Sequence, residues 1–407
     1  DSHAYFFSTL FYGLQGQSHP PFNTYFIDGK MIVNKVLEEE TEINPGDEIL
    51  EIDGIEIGML RDSVIKYAQG SNQVAKNYYT SFMILRGSPG EFPVKVFNGS
   101  DTIFYTSYRN AIYEYELDNK TSPIWYDTII NDNCKFGIID MGRLMPDDVP
   151  IVFEDFSDTD AIIFDLRNYP NATLWEIVNY IYPDSIHIAN FTKPDVQFPG
   201  IMDFHKEYIG SGCSEPYAGK IIILFNEITL SQAEYTVMGL EQHPNAIKIG
   251  STTSAADGNV SKVYLPGNIS ILHTGLGTFY NDFTPTQRVG IIPDYYVRPT
   301  IEGLRSGKDE VLEFALNCSL KTDDLNNEIN ISIFPNPTGG DINYEFKGNN
   351  FVPKSNIRLT NMHGQILYEK PICDFSGKIS TKKFPSGIYL LTIFNEEYRK
   401  TEKIIIK

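Results

Sequence analysis

The sequence is short of positive charge, of clustered cysteines and of long apolar runs, and each shortage removes a class of function. Only 33 Lys and Arg stand against 53 Asp and Glu in 407 residues, a formal net charge of −20. A phosphate backbone needs a basic footprint, so nucleic acid is excluded as a partner. Docking on an anionic membrane leaflet is disfavoured for the same reason. No apolar run approaches the roughly 18 residues that span a bilayer, so no transmembrane segment is expected. The four cysteines, Cys134, Cys213, Cys318 and Cys373, are scattered without a C-x-x-C pair, which predicts neither a zinc site nor a disulfide framework. H-E-x-x-H, G-x-x-x-x-G-K and G-x-G-x-x-G are missing, and the acidic run Glu38–Glu42 lacks the Asp, Asn and Gly spacing of a calcium loop. No metal and no cofactor are expected. The chain starts at Asp1 without a signal peptide, which reads as a mature or excised product with sequence missing upstream.

What is present is ordinary globular material, 42% hydrophobic and 13% aromatic, long enough for two to four domains. The charge divides unevenly. Residues 325–407 carry 11 basic against 8 acidic side chains, and residues 1–324 carry 22 against 45. The polar stretch 321–330 reads as a linker. Beyond it, 331–407 shows short alternating strands separated by P-N-P, T-G-G, H-G and P-S-G turns, the pattern of a small all-β sandwich. Residues 22–97 form a second β-rich unit, with strands at Met31–Leu37 and Glu48–Gly54, a P-G-D turn at Pro45–Asp47 and a D-G turn at Asp53–Gly54. Helical spacing covers Met59–Gln69, and Phe82–Gly87 and Pro93–Phe97 read as closing strands. From 98 to 320, near-continuous apolar strands (Ala161–Leu166, Lys220–Phe225, Ala246–Gly250) alternate with helices starting near Thr173 and Ser231. This is the pattern of a buried, largely parallel sheet, whose ligands gather at the carboxyl ends of the strands.

Ser231 follows the strand Lys220–Phe225 and opens a helix. With Glu234 it makes S-x-x-E, the signature of a capping box. The same position would expose a serine at the sheet's carboxyl edge, with first-turn amides ready for an oxyanion. Asp165 and Arg167 read either as a structural ion pair or as a backbone loop beside Ser231, offering an amide near Asn171 or Ala172. A serine nucleophile needs a base, and His3, His243 and His273 are available. His243 can equally complement the dipole of the helix that it ends.

Four strings in order, P-G-D-E-I-L-E-I-D-G, A-I-I-F-D-L-R-N-Y-P, T-L-S-Q-A-E and R-V-G-I-I-P-D, resemble the serine peptidases of the tail-specific (C-terminal processing) and tricorn group. The resemblance covers nearly all of 1–320. It implies an α/β peptidase core of crotonase/ClpP-like type over 98–320, with residues 1–21 as the start of that region. It also implies a PDZ-like domain over 22–97. Ser231 falls on the nucleophile, the Gln232 amide on an oxyanion donor, and Asn171 and Ala172 where glycines are usual in the second oxyanion loop. Processing peptidases use a lysine about 25 residues after the serine; here that stretch has none, and Lys262 comes slightly late. Tricorn-type members use a serine-histidine pair, which Ser2-His3 matches. Gln287 stands where their supporting glutamate should be, and Asp257 is the reserve carboxylate. The tail, with F-P-N-P-T-G-G and P-S-G-I-Y-L-L, resembles the type IX secretion sorting domain, which implies that secretion machinery as a partner and a secreted or cell-surface destination.

The expectation is therefore a secreted serine endopeptidase acting on polypeptides. The alternative is a catalytically degenerate homologue retained as a peptide- or glycan-binding surface protein, to which Gln287 and the Asn171-Ala172 substitutions point.

Overall fold

In the protein, a computed structural model, residues 1–8, 16–37, 42–113, 125–131, 134–318, 330–347, 356–362, 365–371, 376–394 and 399–407 are described. The chain divides into two compact units, Asp1–Leu320 and Lys321–Lys407. Most of the 321–330 linker lies outside the described residues.

Within the first unit, apolar alternation and tight turns build a sheet ordered Phe22–Ile27, Lys30–Val36, Glu48–Ile52, Gly90–Phe97, Thr102–Arg109. The D-G turn forms as expected. Asp53 and Gly54 have φ of 54° and 75°, so both central residues are left-handed and Ile52 pairs with Ile55 across a two-residue hairpin. The sheet runs past residue 97, because Thr102–Arg109 pairs along all of Gly90–Phe97. Two helices depart from the sequence reading. The first is Ile57–Val64, shorter than the spacing predicted. The second, Gln73–Leu85, takes in most of the predicted strand at Phe82. Asn72 starts it by accepting the Ala75 amide at 2.9 Å, and Ala75, Ile84 and Leu85 bury one face. Local β-propensity loses there to a capped, tertiary-packed helix.

The other half of this unit is a six-stranded sheet in the order Tyr295–Tyr296, Ala246–Gly250, Lys220–Phe225, Ala161–Asp165, Cys134–Asp140, Tyr126–Asn131. Every pairing is parallel except that of the edge strand Tyr126–Asn131. Ile162, Phe164, Ile221, Ile223 and Phe225 pack with Leu174, Ile177 and Val178 of the helix Leu174–Ile181 and with Ala233, Val237 and Met238 of the helix Gln232–Leu240. All are essentially inaccessible to water, the burial expected of a parallel sheet with covered faces. Gly250 ends its strand at φ 138°, and a Cβ there would lie 1.8 Å from the Phe225 carbonyl oxygen. Only glycine lets the chain turn at that point into the 251–258 loop. A three-stranded sheet joins Tyr5–Ser8 to Ile269–Thr274 and Val260–Leu265.

The second unit holds two antiparallel sheets. One is Asn330–Phe334, Asp341–Lys347, Ser376–Ser380, and the other Ile366–Pro371, Asn356–Asn361, Gly387–Phe394, Arg399–Ile406. Ile342, Ile357, Leu359, Ile379, Leu391, Ile393 and Ile404 form their common core.

Candidate active site

Ser231 lies beyond the carboxyl end of the central strand Lys220–Phe225, at the head of the helix Gln232–Leu240. Its backbone sits at φ 56°, ψ −119°, outside the wells open to an L-residue at little cost. Strain of this kind costs about 1–3 kcal/mol and persists only where the surroundings impose it. The residues fit a capping box in outline, yet the Ser231 side chain makes no cap hydrogen bond. The bond that holds is the reciprocal one, from the Ser231 amide to Glu234 Oε2 at 3.2 Å.

Glu234 is wholly buried and gathers the surrounding loops. Besides Ser231 it accepts Thr253 Oγ1 at 2.5 Å and the Ala255 and Ala256 amides at 2.9 Å each. Burial pushes its carboxyl up to about 7, against the pull of those donors. Asp257, next along the loop, is raised well above the usual carboxylate range, first by burial and then by the charge of Glu234. Its Oδ1 accepts the Gly258 amide at 2.6 Å, and its Oδ2 is buried with no hydrogen-bond partner among the described residues. The S-x-x-E spacing pointed to Glu234 only as a local cap. Its longer-range partners, 19 to 22 residues on, left no signal in the sequence.

The motifs converge on this point. Thr229 Oγ1 donates to the Leu166 carbonyl at 2.8 Å, joining the loop before Ser231 to the Asp165–Arg167 loop. Arg288 and Ile291 bond the 253–255 backbone through Ala255 and Thr253. Arg167 is structural. It binds Asp165 and, through both terminal nitrogens, Asp309, which also caps the helix Glu310–Cys318 by accepting Leu312 N. Asn171 donates its side-chain amide to the carbonyls of Gly142 and Leu144 at 2.9 and 3.2 Å. Ala172 takes φ 58°, a left-handed conformation better suited to the glycine of the resembling motif. Gln232 stands at the first helical position, where amides have no intrahelical acceptor. Its Nε2 is buried with no partner among the described residues.

The amino-terminal residues dock against the same loops. Ser2 is buried; its Oγ donates to the Ser254 carbonyl at 2.7 Å and accepts the Ser71 amide at 2.9 Å. Ser254 in turn donates its amide to Thr229, two residues before Ser231. His3 Nδ1 is 3.0 Å from Thr274 Oγ1, and burial holds the imidazole below its ordinary value of 6.5. Among the described residues no hydrogen bond joins Gln287 to this imidazole. Gln287 Nε2 donates to the Asp257 and Leu276 carbonyls at 2.9 and 3.0 Å, so its carboxamide holds loop backbone. Lys262 lies on the exposed edge strand Val260–Leu265. His243 is buried near the end of the Ser231 helix, where its Nδ1 accepts the Asn245 amide at 3.3 Å.

With this geometry in hand, the solved structures can be placed beside it. Mature CPAF is 15% identical over 76% of this chain and 83% of its own, with a TM-score of 0.59. A CPAF mutant is 15% identical over 80% and 86%, at 0.61. Mature CPAF complexed with lactacystin is 14% identical over 74% and 82%, at 0.57. This chain shares the fold of CPAF. Residues 332–407 match the family described as the secretion system C-terminal sorting domain, which indicates secretion or a cell-surface location. A search of curated proteins finds no match. Among the described residues, no helix is long and apolar enough to cross a membrane, and no group of three or more His, Cys, Asp and Glu could hold a metal ion.

Proposed function

We propose that the chain is a secreted serine peptidase that cleaves polypeptides with Ser231 as nucleophile and His3 as general base. The observation that carries this reading is the backbone of Ser231. A non-glycine residue is held at φ 56° at a strand-to-helix turn, with its amide tied back to a buried carboxylate and its hydroxyl outside any cap. A serine that served only as a helix cap would use its hydroxyl on the first turn and need no strained backbone.

In this reading His3 Nε2 takes the Ser231 Oγ proton as Oγ attacks the scissile carbonyl carbon. The carbonyl electron pair moves to oxygen, and the oxyanion is stabilised by the Gln232 amide and an amide of the Asn171-Ala172 turn. The tetrahedral species collapses with transfer of the proton from His3 to the leaving amine. Water then attacks the acyl-enzyme by the same route and frees Ser231. The six-stranded sheet and its helices serve as the crotonase/ClpP-like core. The β-rich unit from Phe22 onward is the PDZ-like domain, a module that captures peptide ends by strand addition.

The test is hydrolysis of an unfolded polypeptide by the full chain and by its Ser231→Ala and His3→Ala variants. Both variants should lose almost all turnover while keeping the melting transition of the parent. Wild-type turnover in Ser231→Ala would overturn the assignment. A chain that folds and binds peptide without any turnover would instead be the degenerate binding homologue.

A further inference from the structure

Gln287 stands where the resemblance to tricorn-type peptidases places a glutamate supporting the histidine, and its carboxamide Nε2 is bonded to the Asp257 and Leu276 carbonyls. The geometry points to Asp1 as the replacement: we propose that its carboxylate, acting through the Thr274 hydroxyl, orients His3 as the base for Ser231. This rests on the reading of His3 as the base.

The local sequence makes the arrangement. In Asp1-Ser2-His3-Ala4 the Ala4 amide bonds the Asp1 carbonyl at 3.0 Å, and His3 N donates to Asp1 Oδ1 at 2.9 Å. Aspartate at the first position of such a turn commonly accepts the amide two residues on. The carboxylate then grips Thr274 at two points, accepting Thr274 N on Oδ2 at 2.7 Å and Thr274 Oγ1 on Oδ1 at 2.9 Å.

The tautomer of His3 follows by counting protons. Thr274 Oγ1 has one proton, and it is donated to Asp1 Oδ1. Toward His3 Nδ1, 3.0 Å away, the hydroxyl can act only as acceptor, so Nδ1 carries the hydrogen. Nε2 is left with the lone pair that a general base requires. When His3 gains a second proton, the positive charge stays on the imidazolium, and the Asp1 carboxylate stabilises it across the Thr274 hydroxyl. Asp1 is a positioning residue in this scheme, because it touches neither substrate nor Ser231. The other charges acting at this corner are Arg288 and Lys76.

Two readouts on the full chain test the proposal. In protein labelled with 15N-histidine, long-range correlation spectra should show His3 as the Nδ1–H tautomer in the wild type. Asp1→Asn and Thr274→Val should lose that preference. In kinetics, each should lower kcat about 10-fold with KM little changed. This is far less than the roughly 10⁴-fold known for a buried triad aspartate, because the contact is indirect and solvent-accessible. Asp1→Asn should also move the acid limb of kcat/KM to lower pH, Thr274→Ser should restore the parent, and the double variant should fall no further than either single. Asp1 is exposed, so its variant tests the idea even where Thr274→Val fails to fold. An Nε2–H tautomer in the wild type, or unchanged kcat in Asp1→Asn while His3→Ala is inactive, would overturn this inference alone. Full activity in His3→Ala would overturn both it and the reading beneath it.

Discussion

Glu234 Oε2 accepts the backbone N–H of Ser231 at 3.2 Å, so a wholly buried carboxylate sets the backbone of the candidate nucleophile. The same carboxylate binds Thr253, Ala255 and Ala256, which fixes the loop next to it. All four partners are donors, and removing their acceptor leaves them in a dry site.

Glu234→Ala should therefore destabilise the fold by about 3 kcal/mol or more, since stranded buried donors keep their full desolvation penalty. Turnover should fall further than the loss of folded protein explains, by about 10²-fold, because small displacements of a reacting atom are costly. Urea denaturation and kcat measured on the folded fraction check both outcomes. A loss of stability with unchanged kcat would mean that Glu234 does not position Ser231.

The titration of Glu234 adds a pH dependence of definite sign. Its carboxyl is raised from 4.5 to about 7 by burial, and Asp257 moves in the same direction. Between those pH values the native state binds more protons than the unfolded chain. The contribution is thus full below 4.5 and is lost as pH rises through about 7. His19 and His243, both held low by burial, act in the opposite sense below 6.5. The clean quantity is the stability of wild type minus that of Glu234→Gln, which should drop by a few kcal/mol from pH 5 to pH 8. A difference independent of pH would show that Glu234 titrates as an ordinary carboxylate.

Strain at Ser231 predicts a trade of function for stability. Ser231→Gly removes the Cβ that disfavours φ 56° and should stabilise the fold by about 1 kcal/mol while abolishing turnover. Calorimetry decides it, and a destabilised glycine variant would mean that the serine backbone is not strained.

Arg167 bridges Asp165 and Asp309 and holds the loop before Asn171 to the helix Glu310–Cys318. Arg167→Lys cannot make the forked contacts and should cost about 2 kcal/mol. Arg167→Ala should cost more, because it leaves Asp165 and Asp309 facing each other. Melting curves for the two variants should fall in that order, and equal curves would show that the fork geometry is immaterial.

Much of this architecture was legible because the signals are local. The apolar run Lys220–Phe225, the D-G hairpin turn and the strand-to-helix position of Ser231 follow from composition within a few residues. The helix Gln73–Leu85 was not legible, because Phe82-Met83-Ile84-Leu85 reads as a strand until packing and the Asn72 cap decide otherwise. At the site, Ser231 could be picked out by motif, but its supports could not. Glu234 meets a loop about 20 residues away, and Thr274 meets Asp1 across 273 positions. The resemblance puts Gln287 in the place of the glutamate that supports the histidine. It stands at the anticipated place in the sequence yet turns to backbone carbonyls, a direction that periodicity cannot reveal.

The most direct measurement of the central claim is mass analysis of the full chain after exposure to a fluorophosphonate probe, which phosphonylates an activated serine with loss of fluoride. The account predicts a single adduct, mapped to Ser231, that is absent from Ser231→Ala and forms far more slowly in His3→Ala. A folded wild-type chain that gains no adduct, or gains it at another serine, would contradict it.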